Sequence, residues 1–301
     1  MRYVLENDTL RVEIDSLGAE LKSAKRKSDN KEYMWYADST YWGRTSPILF
    51  PFVGNCRNKE YRYGGKTYQT AQHGFARDME FSVDTRSEDT IWFSVCSNEE
   101  TMEIYPFAFV LKIGYTLAGN ELKVMWRVEN PDTKTLYFSI GAHPGFLCPF
   151  EGEKSKIGYG LQFAGLKEVH HHGNTPDTGL AIMSEDIVIP LEDEKVYFTP
   201  GFFDRCTYMI EGKQTGEVSL VTPTGKPYVT VKFDAPLFAL WSPEGKDAPF
   251  VCIEPWYGRC DADDFDGSLE ERVHGNAVEP EQAFEASYSI CLLYTSPSPR
   301  D

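Results

Sequence analysis

Residues 121–130 read ELKVMWRVEN and show the pattern from which the fold class follows. Leu122, Val124, Trp126 and Val128 occupy every second position, and most of the residues between them are charged. Successive side chains of a strand point to opposite faces, so this spacing predicts a strand that buries one face. A helix would instead repeat its apolar positions every three to four residues.

The same alternation recurs on both sides of this segment. It is found in residues 9–15 (TLRVEID), 216–223 (GEVSLVTP) and 228–233 (YVTVKF), and turn signals such as Asn-Pro-Asp at 130–132 separate the runs. Many short strands without a break in composition predict a large all-β antiparallel sandwich. We expect few helices, with short helical turns near residues 39–42 and 267–272. Two smaller β-domains are the alternative, although no Gly/Ser- or Pro-rich linker marks a boundary between them.

Composition limits the classes of partner. The formal charge of −16 predicts a surface that repels nucleic acid phosphates and anionic lipids, so neither is an expected partner. The N-terminus carries no signal-peptide pattern and no apolar run could cross a bilayer, so we expect a cytoplasmic protein. The seven cysteines are odd in number and form no C-x-x-C pair, which favours free thiols over disulfides or a metal centre.

The last eleven residues differ in character from the chain before them. Residues 291–301 (CLLYTSPSPRD) follow the strand pattern of residues 284–290 without any turn signal. They resemble the translation of a sequencing adapter read in frame. We therefore expect one domain over residues 1–290 and a non-native tail over 291–301.

His143 stands at the end of the segment TLYFSIGAH, residues 135–143. Alternate residues from 136 to 140 are apolar, whereas His143 shares its face with Ser139 and Gly141. The face with small and polar residues is typical of a cleft wall. A histidine that only makes a hydrogen bond at a strand end is the competing interpretation.

Glu254 follows the apolar run 250–253 and precedes Pro255-Trp256. A carboxylate beside buried apolar groups costs free energy unless it is paired or used, and burial raises its pKa. Aromatic rings beside such a carboxylate suit a sugar site, because they stack on the apolar faces of pyranose rings. A structural glutamate that accepts a hydrogen bond from a loop amide is the alternative.

Four further residues carry groups suited to binding. Arg57, His73 and Arg77 fall within a short span of hairpin-like strands, and His73 precedes a glycine where the backbone can approach a ligand. Asp204 precedes Arg205, an arrangement that is usually a solvated ion pair. Each arginine, taken alone, is most often a surface residue.

Two motifs that look like metal sites are better explained otherwise. The three histidines at 170–172 could not converge on one ion from a strand, so we expect them in a loop. Residues 261–267 (DADDFDG) do not match the register of an EF-hand loop.

Four separated segments resemble the aldose 1-epimerase (mutarotase) family of the galactose mutarotase-like superfamily. They are PILFPFVGNCRN (47–58), QHGFARDMEF (72–81), SIGAHPGF (139–146) and FVCIEPWYGRCD (250–261). Their order and spacing match the family from about residue 5 to residue 290. The compact TAQHGFARD segment departs from the longer block of galactose enzymes, which leaves a preference for galactose open.

The resemblance implies a large β-supersandwich with a sugar cleft on one sheet. It implies His143 as general acid and Glu254 as general base. Arg57, His73 and Asp204 would match substrate-binding positions, and Arg77 lies where phosphate-specific relatives also use basic residues.

The implied reaction interconverts the α- and β-anomers of a hexose by ring opening, which needs no cofactor and no metal. It requires a carboxylate and a protonated imidazole, and we expect the negative site to raise the pKa of His143. One alternative is a hexose-6-phosphate 1-epimerase with a phosphate patch of Arg44, Arg57 and Arg77. Another is a non-catalytic carbohydrate-binding protein that stacks sugar on tryptophans such as Trp42. The expected partner is a small-molecule sugar, bound by a monomer or homodimer.

Overall fold

The computed structural model describes residues 1–150 and 152–293. Its regular structure is almost entirely antiparallel strand, so the predicted all-β fold is confirmed. The strands are, in chain order, β1 (Arg2–Glu6), β2 (Leu10–Asp15), β3 (Glu20–Arg26), β4 (Lys31–Glu32), β5 (Ile48–Leu49), β6 (Glu60–Tyr63), β7 (Lys66–Gln69), β8 (Ser82–Arg86), β9 (Thr90–Cys96), β10 (Val110–Ala118), β11 (Glu121–Glu129), β12 (Leu136–Phe138), β13 (Ile140–Ala142), β14 (Gly145–Leu147), β15 (Gly160–Phe163), β16 (Glu168–Asn174), β17 (Ala181–Pro190), β18 (Lys195–Tyr197), β19 (Tyr208–Glu211), β20 (Glu217–Val221), β21 (Pro227–Phe233), β22 (Leu237–Trp241), β23 (Phe250–Tyr257), β24 (Asn276–Val278) and β25 (Ala283–Leu292).

Helical structure is sparse in the described residues. There is one α-helix, α1 (Glu99–Ile104), and 3-10 turns occur at Arg57–Lys59, Ala76–Asp78 and Leu269–Glu271. The last of these confirms the helical turn expected near 267–272, whereas residues 39–42 form only a hydrogen-bonded turn. No helix in this part of the chain has the length and apolar character needed to cross a bilayer.

Two large sheets form the sandwich. The nine-stranded sheet has the order β18-β15-β20-β21-β25-β11-β10-β9-β8, and the eight-stranded sheet has the order β17-β16-β19-β22-β23-β13-β5, with β14 paired to β23 beside that path. A four-stranded sheet, β1-β2-β3-β4, accompanies them. Pairings such as β21 with β25 join strands far apart in sequence.

The inner faces of the two large sheets share one hydrophobic core. From the nine-stranded sheet, Leu122, Val124 and Trp126 of β11 are buried, as their alternation predicts. From the eight-stranded sheet, Phe238 and Leu240 of β22 belong to the same cluster. Burial of this apolar surface is the main stabilising contribution to the sandwich.

The other face of the eight-stranded sheet carries the polar groups of interest. Along β23, Val251 and Ile253 belong to the core, while Cys252, Glu254 and Trp256 occupy the alternate positions. Because the side chains of a strand alternate, these three residues point away from the core. The eight-stranded sheet therefore offers one face to the core and one to a cleft.

The C-terminal strand extends beyond the expected end of the domain at Ile290. Cys291 pairs with Glu121 of β11, and Leu292 pairs with Val229 of β21. Residues 294–301 of the predicted tail lie outside the described residues.

Candidate active site

His143 occupies the two-residue break between β13 and β14. On one side of the break Gly141 pairs with Trp256, and on the other Gly145 pairs with Cys252. Both pairs belong to the same antiparallel register, and continuing it across the break places His143 opposite Glu254. Side chains directly opposite in an antiparallel pair lie on one face and close together.

The two side chains meet as this register requires. Nε2 of His143 and Oε2 of Glu254 are 3.4 Å apart. His143 is 8% exposed and Glu254 only 1% exposed. Glu254 lies inside β23 and not at the end of a strand, because the strand continues beyond the apolar run 250–253 through Pro255 to Tyr257.

Burial controls the ionisation of this pair. It raises the pKa of Glu254 well above its ordinary value of 4.5, as the sequence predicted. It lowers the pKa of His143 to about 3, with a smaller contribution from the Arg77 charge. The expected rise in the pKa of His143 is therefore wrong, because burial disfavours the charged imidazolium and also the charged carboxylate that was expected to stabilise it.

Two tryptophans desolvate the imidazole. The ring of Trp42 lies 4.7 Å from that of His143 at an angle of 30°, and the ring of Trp241 lies 5.2 Å away, edge-on. Trp42, Trp241 and Trp256 line a cavity of about 410 Å³ together with His143 and Glu254. This volume is within the range of small-molecule sites, about 300–1,000 Å³.

His73 lies on the wall of the same cavity, with its ring 5.6 Å from that of His143. The backbone N–H of Gly54 donates to Nδ1 of His73 at 3.1 Å. Burial, followed by the neighbouring His143, lowers the pKa of His73 well below 6.5. The neutral ring therefore carries its proton on Nε2, which makes that nitrogen a hydrogen-bond donor.

The backbone at His73 and Gly74 packs closely against the backbone of Phe50. His73 has a φ of 64° and Gly74 a φ of 67°. A Cβ on Gly74 would lie 2.3 Å from the carbonyl oxygen of Phe50. Glycine allows this close approach to Phe50, whereas the predicted close approach of the His-Gly backbone to a ligand stays a prediction.

Arg77 also lines the cavity. Its guanidinium donates to the carbonyl oxygen of Gln72 at 2.9 Å, which leaves further N–H groups for a ligand. Arg44, a residue of the expected phosphate patch, instead pairs with Asp78 at 2.7 Å.

The structure places the other two predicted binding residues outside this cavity. The guanidinium of Arg57 donates to the carbonyl oxygen of Phe265, at a separate surface pocket. Asp204 accepts a hydrogen bond from the Gly245 N–H and lines another pocket beside Phe203. His143, Glu254, His73 and Arg77 are therefore together, and Arg57 and Asp204 are apart from them.

The cavity has further walls that the sequence did not reveal. Asn174 ends β16, and the backbone N–H of Thr207 donates to its Oδ1 at 2.7 Å. Asp177 and Glu244, both exposed, add carboxylates to the lining. All three come from segments without a recognisable motif.

The three consecutive histidines lie in strand β16 rather than in the expected loop. Their side chains make separate contacts: His170 with Asp186, His171 with the ring of Tyr208, and His172 with the carbonyl oxygen of Glu185. They do not converge on one point, as alternation along a strand requires.

Comparisons with known proteins agree on one family. The model of the aldose 1-epimerase family matches residues 1–261. Protein LacX (chromosomal) of Lactococcus lactis subsp. lactis is 32% identical, over 97% of this chain and 100% of its own.

Solved structures agree with that match. A galactose mutarotase related enzyme from Lactobacillus acidophilus is 34% identical, with a TM-score of 0.92 over 99% of both chains. A galactose mutarotase-like protein from Lactobacillus casei is 29% identical, with a TM-score of 0.89 over 97% of this chain and 100% of the other. With the family model and a relative above 30% identity both spanning most of its length, the chain belongs to the aldose 1-epimerase family.

Proposed function

We propose that this protein is an aldose 1-epimerase that interconverts the α- and β-anomers of a free hexose by acid–base ring opening. The observation that carries the proposal is the His143–Glu254 pair, 3.4 Å apart in a small-molecule cavity. Family membership supports an isomerase. The choice of reaction rests on what this pair can do chemically.

Anomer exchange needs one proton acceptor and one proton donor at the anomeric centre. The acceptor removes the proton of the C1 hydroxyl while the donor protonates the ring oxygen, and the hemiacetal opens. After rotation about C1–C2 the steps reverse on the other face. The C1 hydroxyl oxygen and the ring oxygen are both bonded to C1 and therefore lie close together. The groups that exchange protons with them must also lie close together, as His143 and Glu254 do.

The ionisation of the buried pair is compatible with this demand. The raised pKa of Glu254 and the lowered pKa of His143 favour a neutral carboxyl and a neutral imidazole, which together hold two protons, one on the carboxyl and one on the ring. A carboxylate with an imidazolium holds the same number. Sugar hydroxyls that donate to Glu254 would stabilise its charged form, with Glu254 as base and His143 as acid.

The cavity walls supply groups for hexose hydroxyls. Nε2–H of His73 and the free N–H groups of Arg77 are donors at the wall. Asn174, whose Oδ1 already accepts from Thr207, has its amide NH₂ left for a hydroxyl oxygen. The half-buried ring of Trp42 offers an apolar surface to a pyranose face.

The charge distribution favours a free sugar over a sugar phosphate. Arg77 is accompanied in the cavity lining by the exposed carboxylates of Asp177 and Glu244. A phosphate dianion would be repelled by these carboxylates, and Arg57 does not line the cavity to offset them.

A non-catalytic binding protein would not need the His143–Glu254 pair. Neither carboxyl oxygen of Glu254 makes a hydrogen bond of ordinary geometry among the described residues, and Oε2 has only the 3.4 Å contact with Nε2 of His143. A buried carboxyl so poorly satisfied is destabilising, so its presence is better explained by a role in turnover.

Anomer exchange measured by polarimetry and by NMR saturation transfer tests the proposal. The substrates are fresh α-D-glucose and α-D-galactose, each compared with its 6-phosphate. We expect exchange above the buffer rate for a free sugar and a lower kcat/KM for its phosphate. Preference for a phosphate would favour the hexose-6-phosphate epimerase, and saturable binding without exchange would favour the binding protein.

A further inference from the structure

Cys252 lies two residues before Glu254 on β23, on the same face of the strand. Its side chain is fully buried in an apolar cluster with Trp35, Ala248 and Phe250 and does not line the cavity itself. The acid–base reaction has no use for a thiol at this position. The Cys252 thiol, the His143 imidazole and the Glu254 carboxyl are all groups that bind metals, and here they lie side by side.

Ligand atoms of His143, Cys252 and Glu254 all lie within 4.8 Å of one another. The His143 Nε2–Glu254 Oε2 separation of 3.4 Å suits two ligands of one tetrahedral zinc ion. Bonds of about 2.0–2.2 Å to nitrogen and oxygen put such ligands about 3.4 Å apart. The thiol sulfur lies within 4.8 Å of the other two ligand atoms, and bonding to zinc at about 2.3 Å requires it to approach them to about 3.6 Å.

A second observation also points to a cation. The Glu254 carboxyl is 1% exposed, and neither of its oxygens has a hydrogen-bond partner in the described chain. The two carboxylates of Asp177 and Glu244 line the same cavity, outnumber the single guanidinium of Arg77 there and attract cations towards it. A positive ion entering the cavity would meet Glu254 and His143 first and the thiol behind them.

We propose that a soft divalent cation, Zn²⁺, binds to His143, Cys252 and Glu254 and blocks the cavity against sugar. The metal–sulfur bond replaces the S–H bond and the metal–oxygen bond replaces the O–H bond of the Glu254 carboxyl, so both protons leave to solvent. The fourth coordination position faces the cavity and takes water. The ion is an inhibitor and not a cofactor, because it occupies both groups of the acid–base pair. Metal binding stands by itself, whereas inhibition rests on the proposed epimerase function.

Titration of the metal-free protein with Co²⁺ tests binding without any need for activity. We expect a near-ultraviolet thiolate-to-cobalt charge-transfer band that saturates at one ion per chain. Cys252→Ala and Glu254→Gln should each lose this saturable band. Cys260→Ala is the matched control and should retain it, because Cys260 is also a buried thiol and lines the same cavity.

Zn²⁺ inhibition of anomer exchange tests the consequence. Cys252→Ala should exchange anomers at the wild-type rate without metal and need at least about tenfold more Zn²⁺ for half-inhibition. Cys252→Ser provides a second variant should the alanine fail to fold. Wild-type protein without a saturable band, or a band lost only with Cys260→Ala, would overturn the site. Equal half-inhibition of wild type and both Cys252 variants would overturn the inhibition. If no sugar is turned over, the proposed function fails while the cobalt titration still decides the metal site.

Discussion

His143 and Glu254 are cross-strand neighbours, and the register on both sides of the β13–β14 break brings Nε2 of one to within 3.4 Å of Oε2 of the other. Their proximity is a property of the sheet and does not depend on a mobile loop. The gap between β13 and β14 frees the histidine from the ladder while keeping its position opposite the glutamate. The pair is therefore built into the fold as two uncharged, desolvated groups.

Replacing Glu254 by Gln should stabilise the sugar-free protein increasingly as pH rises. The folded pKa of Glu254 is raised, so its contribution to stability is full below the ordinary value of 4.5 and is lost as pH rises towards the folded pKa. Glutamine does not titrate and avoids this loss. The advantage should grow by up to about 1.4 kcal/mol per pH unit.

Urea unfolding of wild type and Glu254→Gln at pH 5 and pH 8 measures the difference. A constant difference between the two pH values would show that Glu254 ionises normally in the folded protein.

Arg77→Ala should weaken sugar binding, whereas Arg57→Ala should leave it unchanged. Arg77 lines the cavity, whereas Arg57 donates to the carbonyl oxygen of Phe265 elsewhere. We expect Arg77→Ala to raise KM about tenfold, equivalent to one hydrogen bond to a charged group, and Arg57→Ala to leave KM unchanged. Steady-state anomer exchange checks both, and a raised KM for Arg57→Ala alone would contradict the location of the sugar.

Asp261→Asn should destabilise the fold markedly. The Asp261 carboxylate accepts from Nε of Arg272 at 2.7 Å and from the backbone N–H of Arg57 at 2.9 Å. Arg272 is buried, and loss of its partner costs about 3–5 kcal/mol. Lys213→Ala, which removes the exposed Lys213–Asp234 pair, is the control and should change stability little.

Thermal or urea unfolding compares these two variants. Equal stability losses would show that the Asp261–Arg272 pair contributes no more than a surface pair.

Gly74→Ala should lower both stability and activity. Its new Cβ would lie 2.3 Å from the carbonyl oxygen of Phe50, in a backbone conformation with positive φ, beside His73. Gly64→Ala is the matched control, since Gly64 also has positive φ but nothing within 4 Å of the new Cβ. Positive φ alone costs about 1–2 kcal/mol.

We expect the control to show only that backbone cost, and Gly74→Ala to show a larger loss in urea unfolding together with a higher KM. Indistinguishable midpoints would mean that the contact with Phe50 relaxes without cost.

The sequence predicts the strands that position His143 and Glu254 better than it predicts the other residues that line the cavity. Strand alternation correctly puts Ile140 towards the core and Gly141 on the other face, next to the break that holds His143. The local pattern does not give the order of strands, because pairings such as β21 with β25 connect distant segments. Helix α1 is not predicted by the sequence: Asn98 is a favourable N-cap, but the third helical residue is Thr101 and not the Glu or Gln of the usual capping-box pattern.

The remaining differences arise from tertiary packing. The pKa of His143 is lowered because Trp42 and Trp241 enclose its ring. These two residues lie about a hundred residues before and after His143 in the chain. Arg57 lies in a 3-10 turn that directs it to Phe265. Neither the enclosure of His143 nor the direction of the Arg57 side chain can be predicted from the residues next to it in the sequence.

Anomer exchange by His143→Gln and Glu254→Gln tests the proposed mechanism most directly. NMR saturation transfer with the free hexose that wild type accepts gives the rate, and urea unfolding confirms that each variant is folded. We predict that each substitution lowers kcat by about 10²–10⁴-fold, because each removes one partner of the proton transfer. Wild-type rates in both folded variants would contradict the assignment of this pair as acid and base.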